Sequence, residues 1–216
     1  MSREQISQHI KEIFRELKTQ AIVLGSAIAI MWILELADFL IFRGGLNSYG
    51  IFPRQVIGLR GILFMPFLHG DFAHLMANTI PFLTLGWLVM VREISEFFAV
   101  SAIATIVSGL GIWLFGASNS VHVGASGVIF GYLGFLLLRG FFERNILSIV
   151  LSLTVGFLYG GLIWGVLPSQ PGVSWEGHLF GFIGGILAAR LLAKQRAKTR
   201  GTRGQGDKGT RGSKEF

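Results

Sequence analysis

A serine and a histidine stand at the heads of two apolar stretches of this chain: Ser126 in Gly124-Ala125-Ser126-Gly127, and His178 in Gly177-His178-Leu179-Phe180-Gly181. A serine hydroxyl attacks a carbonyl only when a base removes its proton, and imidazole, with a reference pKa of ~6.5, does this near neutral pH. The pair points to hydrolysis. His74 and Asn78 are four residues apart and so share one helix face. Their side chains could donate hydrogen bonds to an oxyanion, together with the Ser126 backbone amide at the start of its helix. Each such donor typically contributes ~3 to 4 kcal/mol to the transition state. Gly124 and Gly127 leave room for backbone close to the reacting carbonyl. His122, four residues before Ser126, is a competing base in the preceding loop. Glu176 falls on a different side of the helix from His178, and Asp38 and Asp71 belong to other segments, so a Ser126–His178 dyad is expected rather than a triad.

These groups need a scaffold that sets them at one level. Apolar residues make up 51% of the chain and charged residues 14%, against the roughly 25% charge of soluble domains. The chain reads as a polytopic membrane protein. Six apolar stretches run from Ala21 to Phe42, His74 to Val91, Phe97 to Gly116, Ser126 to Leu138, Ile146 to Leu167 and Gly177 to Leu192. A barrel would show short alternating strands, so an all-α bundle of six transmembrane helices is expected. Residues 1–20 mix both charge signs at helical spacing and lack the features of a secretory signal, which predicts a cytosolic amphipathic lead-in. Residues 21–193 form the six-helix domain, and residues 194–216 a basic, Gly-rich tail expected to be disordered.

Sixteen of the nineteen Lys and Arg fall on one side if both termini are cytosolic, leaving Arg43, Arg54 and Arg60 outside, in keeping with the positive-inside rule. At ~1.5 Å per residue, Ser126 lies about 20 Å from Arg139, His178 about 18 Å from Arg190 and Asn78 about 21 Å from Arg92. With those arginines at the cytosolic edge of a bilayer, three polar groups from three inward-running helices share one layer, on the order of 10 Å below the outer surface. Polar groups at that depth are costly unless they pair or line a wet cavity.

Taken singly, a membrane serine commonly packs or bonds to its own backbone, and a buried histidine is commonly structural. Their agreement in level favours a site. A transporter with a polar path involving Glu35 and Asp38 is an alternative, as is a metal held by His69, His74 and His178, which leaves Ser126 unexplained. Without cysteine, thiolate chemistry is excluded. The net charge of +7 is concentrated in the tail, which fits anionic lipid better than nucleic acid on a membrane protein. Thirty glycines are roughly twice the usual share. Gly127 and Gly131, Gly156 and Gly160, Gly161 and Gly165, and Gly177, Gly181 and Gly185 recur at the spacing that lets membrane helices approach closely. Close approach at Gly181 would bring the fourth and sixth helices, and with them Ser126 and His178, together. The Pro168 to Ser174 link resembles a hinge beside the proposed base.

The stretch from Arg60 to Asn78, with His69-x4-His74-x3-Asn78, the Gly124-Ala125-Ser126-Gly127 turn and the His178-Leu179-Phe180-Gly181 helix start resemble the rhomboid intramembrane serine proteases. The resemblance covers the membrane core from about Arg54 to Leu192. It implies a six-helix rhomboid bundle of the bacterial plasma membrane that cleaves transmembrane segments of other proteins near their outer ends, without cofactor or metal. Ser126 would be nucleophile and His178 base; His74, Asn78 and the Ser126 amide would form the oxyanion hole. His69 would hold the outer loop or the water entry. Two departures are visible. Phe130 replaces a Tyr common one turn after the serine, keeping a ring to stack on the base without its hydroxyl, and Leu59-Arg60 replaces a Trp-Arg pair in the outer loop. A catalytically silent relative that binds membrane proteins is a further alternative, against which the presence of both Ser126 and His178 argues.

Overall fold

The computed structural model describes residues 2–168 and 172–211, with side chains through residue 199. Six helices are long and apolar enough to cross a membrane. They are α1 (Arg3–Ala37, ending in a π-helical turn at Asp38–Phe42), α3 (Phe72–Met90), α4 (Ile94–Phe115), α5 (Ser126–Glu143), α6 (Ile146–Tyr159, continued by a 3-10 turn at Gly160–Val166) and α7 (Trp175–Arg211). The short α2 (Gly61–Phe64) and 3-10 turns at Gly45–Tyr49, Val56–Arg60 and Met65–Phe67 fold the first outer loop. Among the described residues there is no strand; Ile51 and His122 form one isolated backbone bridge.

The first helix starts well before Ala21. Ser2 caps it in a reciprocal box with Gln5, so the charged lead-in and the first span are one continuous rod. At the other end the backbone of α7 stays helical to Arg211, across the stretch where composition predicts a disordered tail; the Ala, Lys, Gln and Arg between 193 and 198 are good helix formers. Residues 212–216 of that tail, and residues 169–171 of the Pro168 to Ser174 link, lie outside the described residues.

The core is built around α5, whose Val128, Ile129, Phe130, Tyr132, Leu133, Phe135 and Leu136 are all buried. It meets α7 along glycines: a methyl group on Gly181 would overlap the Gly127 carbonyl oxygen, and one on Gly185 would overlap that of Gly131. Of the glycine pairs picked out by spacing, these do the joining. Gly160 and Gly161 face open space.

The opposite end of the bundle is tied by charge. Arg139 on α5 is 1% exposed and pairs with Glu96 at 3.0 Å and Glu143 at 3.3 Å. Arg196 on α7 pairs with the same two carboxylates, and Arg92 joins Glu143. The α7 arginine that shares these carboxylates is Arg196; Arg190, six residues earlier, is exposed on another side of the helix.

Candidate active site

His178 sits in the first turn of α7 and is 9% exposed. Its Nδ1 lies 2.8 Å from the Gly165 carbonyl oxygen, which can only accept, so Nδ1 carries the proton and Nε2 keeps the lone pair. The ring stacks on Phe130, with centroids 4.1 Å apart and planes 7° from parallel. A methyl on Gly165 would lie 2.7 Å from Phe130 Cζ and 3.4 Å from His178 Nδ1. Glycine there lets the 3-10 turn after α6 reach the imidazole.

Ser126 is the first residue of α5 and is partly exposed. The preceding Ala125 provides no side-chain cap, so the first amides of α5 are unclaimed by a capping group. Gly124 has φ +118°, a conformation that disfavours any side chain. A methyl there would meet His74 Cε1 at 2.6 Å, His74 Nε2 at 2.7 Å and Asn78 Nδ2 at 3.5 Å. Gly124 therefore lets His74 and Asn78 come up against the backbone just ahead of the serine. Asn78 is 6% exposed and its Nδ2 has no hydrogen-bond partner among the described residues, leaving a buried donor free. Asp71 caps α3 by accepting from the His74 amide at 2.7 Å, fixing where this face of the helix begins.

Ser126, His178, His74, Asn78 and Phe130 line one cavity of about 630 Å³, with Asp71, His122, Ser174 and Leu162 also on its wall. Gly127 backs it through the α5–α7 contact with Gly181. Among the described residues the Ser126 and His178 side chains do not hydrogen bond to each other; resting pairs of this kind often close only when substrate enters. His69 is outside the cavity wall, 1% exposed, with its ring edge-on to His74 at 5.2 Å. Burial first, and the neighbouring His74 second, push its pKa down to about 4.

The competing base, His122, is engaged elsewhere. Its Nε2 is 2.8 Å from Ser120 Oγ and its Nδ1 2.8 Å from Ser174 Oγ. Burial lowers its pKa, with Glu176 acting in the opposite sense. Asp38, named for a polar transport path, accepts from the Leu46 amide at 2.8 Å and Asn47 Nδ2 at 3.2 Å, and so fastens the outer loop. Sequence reasoning missed Gly165 as a site residue. Its contribution is a carbonyl, which every residue has, and only its place in the glycine series marked it.

A protein-family model described as Rhomboid domain matches residues 57–195. A Mycobacterium tuberculosis protein named as uncharacterized is 44% identical over 181 residues, 80% of this chain and 75% of its own. A Mycobacterium leprae protein so named is 43% identical over 180 residues, 80% of this chain and 71% of its own. RHOMBOID-like protein 5 of Arabidopsis thaliana is 33% identical over 142 residues, covering 58% and 41%. With six helices able to cross a bilayer and a domain match over well over half its length, the chain belongs to the rhomboid family of multi-pass membrane proteins.

Proposed function

We propose that the protein is an intramembrane serine endopeptidase, with Ser126 as nucleophile and His178 as general base. The observation that carries this reading is the hydrogen bond from His178 Nδ1 to the Gly165 carbonyl, which leaves Nε2 as the basic nitrogen in the cavity that Ser126 also lines. A backbone carbonyl here takes the orienting part that a carboxylate plays in a triad. No carboxylate is needed to select the tautomer.

In this mechanism Ser126 Oγ adds to the scissile carbonyl carbon while its proton passes to His178 Nε2. The oxyanion receives hydrogen bonds from the Ser126 amide, Asn78 Nδ2 and His74. His178 then gives its proton to the leaving amine, the C–N bond breaks, and an ester to Ser126 remains. Water, deprotonated by the same nitrogen, hydrolyses the ester and restores the serine. The stacked Phe130 ring holds the imidazole through both proton transfers.

Substrates are transmembrane segments of other proteins, which reach the site from surrounding lipid. The cell membrane as location, with both termini cytosolic, rests on the charge asymmetry, and the division into lead-in, six-helix domain and basic tail belongs to the same proposal. The test is cleavage of a purified single-span substrate in detergent, with and without chelator. Wild type cleaves irrespective of chelator, while Ser126→Ala and His178→Ala do not. Cleavage by Ser126→Ala at the wild-type rate defeats the reading.

A further inference from the structure

His122 is used neither in the fold's core nor in the chemistry above, yet it joins three separate segments. Its backbone pairs with Ile51 of the first outer loop through two hydrogen bonds of 3.0 Å. Its ring links Ser120, in its own loop, to Ser174, just ahead of α7. The protonation pattern follows from the partners. Ser120 Oγ donates to the Ala117 carbonyl at 2.6 Å, so it accepts from His122 Nε2–H. Nδ1 of the neutral ring is then an acceptor, and Ser174 Oγ–H donates to it at 2.8 Å. The result is one directed chain from Ser174 through His122 and Ser120 to Ala117.

The spacing gives this chain its meaning. His122 precedes Ser126 by four residues, and Ser174 precedes His178 by four. The Ser174 carbonyl also accepts from the His178 amide at 3.2 Å, so Ser174 belongs to the first turn that aims the base. The His122–Ser174 bond thus lies just outside the proposed dyad and ties together the two segments that carry it. The glycine contacts between α5 and α7 fix how close the helices come. They do not fix the approach of the loop before α5 to the start of α7, because glycine packing is non-directional, whereas a hydrogen bond specifies one approach.

We infer that His122 is a positioning residue, which acts through Ser174 to hold the start of α7, and with it His178, in register with Ser126. The inference rests on the dyad reading. Its groups on the neighbouring elements are Ser174 and Glu176 of the α7 start, Ile51 of the outer loop, and Arg54, whose guanidinium bonds the Gly116 carbonyl at 2.9 Å beside the His122 ring.

The experiment measures kcat and KM for a single-span substrate, and the thermal midpoint, for the full-length protein and for His122→Ala, Ser174→Ala, the double variant, His122→Asn and His122→Gln. A misplacement of the base by a fraction of an ångström predicts kcat about tenfold lower for each single alanine, with KM within about twofold. The double variant is no worse than His122→Ala alone, because both single variants remove the shared His122–Ser174 bond. Asn, whose Oδ1 falls where Nδ1 stood, restores most of kcat; Gln, which reaches only towards Ser120, does not. Wild-type kcat in both alanine variants, losses that multiply in the double variant, or Asn and Gln behaving alike at matched thermal midpoints overturns the clip. Ser126→Ala is run alongside: if it cleaves, the dyad reading has failed, whereas a dead Ser126→Ala beside an unaffected His122→Ala rejects the clip alone.

Discussion

His178 owes its usable nitrogen to a backbone oxygen, and its orientation to a ring without a hydroxyl. Phe130→Ala removes the 4.1 Å stack but leaves the Gly165 hydrogen bond, so kcat should fall by about tenfold with little change in KM. Gly165→Val pushes a side chain towards Phe130 and Nδ1 and should cost more; equal kcat for both variants and wild type, measured on a single-span substrate, would deny the imidazole its support. His69 makes a different kind of prediction. Its pKa falls from 6.5 to about 4 on folding, so the fold favours the neutral ring. That contribution is complete above pH 6.5 and is lost as pH falls towards 4, where the unfolded chain is protonated and the folded one is not, a loss of about 3 kcal/mol. Unfolding of the purified protein in detergent between pH 7 and 4.5 should show this limb, and His69→Phe should flatten it. At this scale Ser126, His178, His74 and Asn78 were legible because His and Asn are uncommon in apolar helices and Ser126, His178 and Asn78 fall at one level. The Gly165 carbonyl was not, since a backbone acceptor has no residue signature.

Helices α5 and α7 approach so closely that Gly181 has no room for a methyl group. Gly181→Ala should destabilise the fold by about 1–3 kcal/mol, the usual cost of overpacking. Gly181→Leu should separate Ser126 from His178 and abolish cleavage; full activity with an unchanged fold would rule out this contact as the one that assembles the site. The four-residue glycine spacing announced close packing, and the structure picks Gly127, Gly131, Gly181 and Gly185 for it while leaving Gly160 and Gly161 facing open space. Spacing reports which residues share a helix face. It says nothing of which face meets which neighbour, a matter settled by the whole bundle.

Across the molecule, the site at one end of the bundle stands on an ion-pair layer at the other. Arg139, Arg196 and Arg92 draw α4, α5, α7 and the link between α3 and α4 together around Glu96 and Glu143. Arg139→Ala leaves two carboxylates buried beside a lost partner, and an unfolding measurement should register about 3–5 kcal/mol. In the sequence Arg139 reads as a surface marker of the membrane edge, because a lone arginine in an apolar stretch carries no sign of the distant Glu96 that buries it. The six spans themselves were legible, since crossing lipid demands long apolar helices whatever their packing. The central claim, that Ser126 is a nucleophile activated by His178, is tested most directly by treating the protein with a fluorophosphonate and locating the adduct by peptide mass spectrometry. The account predicts a single modification on Ser126, absent from Ser126→Ala and strongly slowed in His178→Ala. Modification elsewhere with cleavage lost in parallel, or labelling that persists at full rate without His178, would contradict it.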